Sequence, residues 1–155
     1  MWYAKAGITD TEVKMEKERI SKDNCIFCKI IAGEIPSHTL YEDEDFKVIL
    51  DVGPATKGHA LIIPKDHYAN LYELPEKMAS DAMKLAKKMM IKMTEKLHCD
   101  GFNIIQNNGE IAGQTVFHFH MHLIPRYKED GEILKYIAGE PGAEELEQIK
   151  KTITE

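Results

Sequence analysis

The stretch His118-Phe119-His120-Met121-His122-Leu123 alternates imidazole with apolar side chain, and a period of two fits a strand and not a helix. On a strand, His118, His120 and His122 point to one face, with neighbours about 6.6 Å apart at ordinary rise. Phe119, Met121 and Leu123 point to the other. One face therefore packs, and the other carries three imidazoles. The expected strand runs from Thr115 to Pro125.

The remaining chain supplies what such a strand needs around it. His38 to Tyr41 and Phe46 to Leu50 read as a hairpin around the acidic turn Glu42-Asp43-Glu44-Asp45, and Gly53-Pro54 marks a second turn. His59 to Pro64 is apolar enough for a central strand, and Phe102 to Gln106 is a fourth. A long helix is expected from Pro75, placed at the first helical position, with Met78, Ala82, Leu85, Ala86, Met89, Met93 and Leu97 on its buried face. The methionine stripe reads as core packing. Ile26, Phe27, Ile30 and Ile31 form a short helical stripe ended by Gly33, and a last helix is expected from Ala143. The fold class that follows is α+β: a mainly antiparallel five-stranded sheet with one long helix and shorter terminal helices. Residues 1–23 read as an N-terminal extension, in which Thr9 to Arg19 has only a weak helical pattern, and residues 24–155 as a single domain.

Hydrophobic residues make up 43% of the 155, enough for one core without disulfide staples. A formal net charge of −6 disfavours a nucleic-acid partner, which is held by neutralising phosphates with Lys and Arg; a small anion in a local pocket stays open. No apolar run reaches the roughly 20 residues of a membrane helix, and no secretory signal is visible, so no membrane partner is expected. The three cysteines, Cys25, Cys28 and Cys99, are an odd count and point to the reducing cytoplasm.

Three imidazoles at consecutive same-face positions are hard to explain by packing, because each needs polar partners when buried. They suit a metal comb, or a site in which one imidazole attacks and the others hold charge. Cys25-x-x-Cys28 is a two-ligand signal without a second cysteine pair, so zinc there would need histidines. A pair of core thiols and a redox pair are the other readings. Cys99 reads as a small buried residue, and His38 and His98 as surface positions.

The run His118-Phe119-His120-Met121-His122-Leu123-Ile124 resembles the signature of the histidine triad (HIT) family, His-φ-His-φ-His-φ-φ with φ apolar. Asn107 and Gly113-Gln114-Thr115-Val116 resemble its phosphate-binding stretch, and Asp51-Val52, Gly58-His59 and Ile63-Pro64-Lys65 its nucleotide pocket. The likeness covers roughly residues 25 to 127.

It implies a hydrolase that releases a nucleoside monophosphate from a nucleoside 5′-phosphoramidate or a dinucleoside polyphosphate. His120 would attack the α-phosphorus to form a nucleotidyl-histidine, which water then hydrolyses. His122 would bind phosphate oxygens and assist the leaving group, and His59 would complete the cluster. Asn107, Gln114 and Thr115 would hold the phosphate, and Asp51 the ribose hydroxyls. By the same resemblance His67 and His118 would join Cys25 and Cys28 around a structural zinc, while the chemistry itself needs no cofactor. The substrate would be a purine nucleotide, and the protein a homodimer joined near the long helix and fourth strand. Gln114-Thr115-Val116 and Ile124-Pro125-Arg126 resemble the dinucleoside polyphosphate hydrolase branch, and the Trp-Pro-Pro-Gly-like tail of the phosphoramidase branch is absent. Phe119 replaces the proline of the nucleotidyl-transferase branch. A nucleotide sensor or interaction module with incidental turnover is the alternative, and a plain metal-binding domain using all three triad histidines is a third.

Overall fold

The computed structural model describes residues 22–154, so the weak helical pattern at Thr9 to Arg19 lies outside the described residues. Lys22–Asn24 forms a single 3-10 turn leading into the short helix α1 (Ile26–Ile31). Cys25 is the N-cap of α1, its Sγ accepting from the Cys28 N–H at 3.4 Å. The strands β1 (Thr39–Glu42), β2 (Phe46–Leu50), β3 (Ala60–Pro64), β4 (Gly101–Ile105) and β5 (Met121–Arg126) form one antiparallel sheet in the order β1-β2-β3-β5-β4. The long helix α2 (Glu76–Leu97) joins β3 to β4, and α3 (Ala143–Thr154) ends the described chain.

The sheet packs on both faces at its centre, where β3 is buried throughout. Phe46, Val48, Ala60, Ile62, Met121 and Leu123 pack with Phe119 against Ala82, Leu85, Ala86, Met89 and Met93 of α2. Ile49, Leu61 and Ile63 pack on the opposite face with Cys25, Phe27 and Ile30. This two-sided burial is why β3 is a continuous apolar run. The α2 stripe expected from the sequence faces the core, with Met78 and Leu97 partly buried at its two ends.

Two expectations are corrected. Pro75 is the N-cap of α2 and not its first helical residue, with ψ at 142°. The histidine strand begins at Met121 and not at Thr115. The reason lies in its neighbour. Met121 pairs with Ile62, so continuing the ladder would set Phe119 opposite Pro64, which has no N–H to give. The side chains keep alternating without the ladder: Phe119 is in the α2 core, while His118 and His120 turn to the α1 side against Phe27.

Candidate active site and metal centre

The three triad histidines have three different sets of partners, which removes a shared metal comb. His120 is buried, and its Nδ1 lies 2.8 Å from the carbonyl of His118. A carbonyl only accepts, so Nδ1 carries the proton. In the neutral ring the lone pair is then on Nε2. Burial pulls the His120 pKa below its ordinary value, partly opposed by this carbonyl and by the charge of Asp51, so the ring is neutral at pH 7. The result is an imidazole with a fixed tautomer and an available nucleophilic nitrogen.

His122 lies on β5, opposite Leu61 of β3 and Ile105 of β4. Its ring centroid is 5.0 Å from that of His120. Its Nδ1 is 2.9 Å from Nε2 of His59. His59 Nδ1 accepts the Ala55 N–H at 3.0 Å, so His59 carries its proton on Nε2 and donates to His122. His122 then carries its own proton on Nε2. Burial, followed by the neighbouring imidazoles His120 and His59, holds the His122 pKa down to about 4. Asp51 Oδ2 is 3.6 Å from His59 Nε2, and Asp51 Oδ1 accepts the Gly53 N–H at 2.8 Å. Asp51, His59 and His122 therefore form one polar group, joined internally by the His59–His122 bond and tied to the backbone through the Ala55 and Gly53 N–H groups.

His59 owes its position to the residue before it. Gly58 has φ +87°, and a Cβ there would stand 2.5 Å from Cδ1 of Leu97 at the end of α2. Only glycine combines that backbone with that approach.

The expected phosphate-binding stretch divides. Gln114 is buried, with its amide nitrogen donating to the carbonyls of Ala69 at 2.6 Å and Val116 at 3.1 Å, and its oxygen accepting the Gly109 N–H at 2.9 Å. Both amide protons go to backbone, so Gln114 braces the loop and has none left for a phosphate. Asn107 is half-buried beside Gly113, and Thr115 is exposed on the same loop.

The second cluster joins Cys25, Cys28, His67 and His118, whose donor atoms all lie within 4.8 Å of one another. His118 Nδ1 is 3.4 Å from Cys25 Sγ and 3.5 Å from Cys28 Sγ, and His67 Nδ1 is 3.3 Å from Cys28 Sγ. Tetrahedral zinc would set sulfur and nitrogen ligands about 3.5 Å apart. His118 donates its other ring N–H to the Pro64 carbonyl at 2.8 Å, leaving the Nδ1 lone pair facing the thiols. That is the outer hydrogen bond expected of a metal-ligating histidine. Burial, then the hydrogen bond and charge of Cys25, push the Cys28 thiol up to about 12, and burial brings His118 down to about 4. A divalent cation would stabilise the thiolates directly. The residues present fit zinc. Cys99 is buried apart from this group, donating to Thr94 Oγ1 at 3.7 Å, and His38 and His98 are exposed.

The sequence supplied the ring atoms of both clusters but none of their backbone partners. The carbonyls of Pro64 and His118 and the N–H of Ala55 leave no mark in residue identity. Phe27, whose ring meets His120 edge-on at 5.1 Å, was legible only as part of an apolar stripe.

Comparison with known proteins identifies the family of the chain. The family model for the HIT domain matches residues 32–129. The adenosine 5′-monophosphoramidase HNT1 of Saccharomyces cerevisiae is 41% identical over 144 residues, covering 92% of this chain and 89% of the yeast protein. The crystal structure of SMU.412c from Streptococcus mutans superposes with a TM-score of 0.81 at 43% identity, covering 86% of this chain and 85% of that one. A zinc-bound histidine triad family protein from Mycobacterium smegmatis superposes with a TM-score of 0.68 at 35% identity, covering 85% of this chain and 99% of that one.

Proposed function

The chain belongs to the HIT family, and from that premise we propose that it hydrolyses nucleoside 5′-phosphoramidates, with His120 as nucleophile. The observation that carries the proposal is the hydrogen bond from His120 Nδ1 to the His118 carbonyl, which leaves Nε2 free to attack. As the new N–P bond forms, positive charge develops on the ring, and the same carbonyl, 2.8 Å away, stabilises it. The P–N bond to the leaving amine breaks. The nitrogen leaves with a proton taken from solvent, and His122, with its proton on Nε2, donates a hydrogen bond to a phosphate oxygen. His59 keeps His122 in this tautomer through the 2.9 Å bond to its Nδ1. Water then hydrolyses the nucleotidyl-histidine, releasing the nucleoside monophosphate and restoring the His120 ring.

Asn107 and Thr115 are assigned to the phosphate oxygens, and Asp51 to the ribose hydroxyls through the lone pairs its turn leaves open. Gln114 is assigned to the loop that presents them. The purine preference and the choice of a phosphoramidate over a dinucleoside polyphosphate rest on the name of the yeast relative, since the local motifs resemble the other branch. A zinc ion held by Cys25, Cys28, His67 and His118 would anchor α1 to the sheet and supply no step of the reaction.

The test is turnover of adenosine 5′-phosphoramidate and diadenosine polyphosphates by wild type and His120→Ala, with AMP binding measured alongside. Loss of turnover by more than about 1,000-fold with AMP binding retained supports the mechanism. Unchanged turnover in His120→Ala would refute it. Absent turnover in wild type, with AMP still bound, favours the sensor or interaction module instead. Elemental analysis of the purified protein is expected to find about one zinc per chain.

A further inference from the structure

We propose that Cys25, Cys28 and His67 are positioning residues for the nucleophile: a metal ion bound by them and His118 fixes residue 118, and with it the carbonyl that sets the tautomer of His120. The proposal rests on the assignment of His120 as nucleophile. It starts from an unusual dual use of one residue. The ring of His118 belongs to the Cys/His cluster, while its carbonyl, 2.8 Å from His120 Nδ1, belongs to the active site.

In most strands a carbonyl is held by the ladder. Residues 115–120 lie outside the ladder, so other contacts must hold this one. The neighbouring backbone contributes the Phe119 N–H, which donates to the Tyr68 carbonyl at 2.6 Å. The side chain contributes the rest. His118 is fully buried, its Nε2 tied to the Pro64 carbonyl and its ring met edge-on by Phe27 and His67. The remaining ring nitrogen, Nδ1, has the two thiols as its hydrogen-bonding neighbours, at 3.4 and 3.5 Å. Thiols are weak hydrogen-bond partners. Coordination replaces these weak contacts by a bond, so the ring becomes fixed at both nitrogens.

The consequence falls on His120. If the His118 carbonyl drifts, the His120 proton is no longer held on Nδ1. A share of the rings then carries it on Nε2, where it blocks attack. Occupancy of the cluster thereby controls the fraction of competent nucleophile without any ligand of the cluster touching the substrate. The expected signature is a fall in kcat of about 10-fold with KM within about two-fold, the size seen when the outer partners of a site are disturbed.

The experiment compares wild type as purified, wild type stripped with a strong chelator, the stripped protein reloaded with zinc ion, and Cys28→Asp, which retains a weaker ligand. The primary readout is the long-range 1H–15N correlation spectrum of the His120 ring, which reports the protonated nitrogen whether or not the enzyme turns over. We expect a pure Nδ1–H tautomer with zinc, a mixture without it, recovery on reloading, and a tautomer ratio in Cys28→Asp that follows the zinc concentration. Stripped and folded protein with His120 still purely Nδ1–H and kcat unchanged would overturn the proposal. So would a protein that takes up no zinc. If stripping unfolds wild type, the Cys28→Asp titration decides, since a tautomer ratio independent of zinc overturns the coupling. A failed His120→Ala test would show itself separately, because the tautomer readout does not require His120 to attack.

Discussion

His122 is packed beside two other imidazoles, and burial first, then that company, opposes a second proton on its ring. Burial, His120 and His59 lower its pKa from 6.5 to about 4. The unfolded chain binds this proton at pH values where the folded chain refuses it. The associated stability is therefore complete above pH 6.5 and is lost as pH falls toward 4. Thermal unfolding followed from pH 8 to pH 4 is expected to show Tm dropping below pH 6.5 in wild type. His122→Gln, which cannot titrate, should drop less over the same interval. Parallel curves for the two proteins would exclude His122 as the source. The histidines were legible at this scale because alternation and residue type carry the information together. Gln114 was not, since a glutamine that grips a phosphate and one that grips three backbone groups look alike in sequence. Gln114→Ala leaves the Ala69 and Val116 carbonyls and the Gly109 N–H without their partner. A loss of about 1–3 kcal/mol in denaturant unfolding is expected. A variant as stable as wild type, with weakened phosphate binding alone, would return Gln114 to direct contact.

Helix α2 and strand β3 were readable because burial dictates their composition: one needs a stripe and the other an unbroken apolar run. What escaped was where pairing stops. Residues 115–120 have the alternation of a strand, but a ladder also needs a partner with N–H groups, and Pro64 ends the supply on that side. The junction of α2 with β3 is set by Gly58, whose φ of +87° and 2.5 Å approach to Leu97 leave no room for a Cβ. Gly58→Ala is expected to cost about 1–3 kcal/mol, part from the left-handed backbone and part from displacing Leu97. Because His59 follows directly, kcat should fall as well. A variant with wild-type Tm and wild-type kcat would show that the turn has another conformation available.

At the scale of the whole molecule, two surfaces remain outside the catalytic argument. One is the outward face of α2 with the edge strand β4, where Met83, Ile91 and Ile104 are exposed and line an apolar groove with Met90. The expected homodimer would cover this groove. Sedimentation should give twice the chain mass, falling toward the monomer in Ile91→Lys. A wild-type monomer would remove the dimer. The other is the segment after Gly131, in which α3 has no buried residue. Among the described residues no helix is long and apolar enough to cross a membrane, α3 included. Ending the chain at Gly131, which keeps the Arg126 bond to the Gly131 carbonyl, should change Tm by less than about 2 °C. Unchanged kinetics in that protein would also rule out a role for the tail in shaping access to the site.

The early end of β5 then has a meaning beyond topology. Had the sheet run on through residue 118, the carbonyl that orients His120 would have been claimed by a neighbouring strand. A more complete sheet would be a more stable protein with a less firmly held His120 ring. Under the proposed mechanism, engineering that lengthened the ladder for thermal robustness would take up the acceptor that sets the His120 tautomer, and stability would compete with turnover for a single oxygen atom.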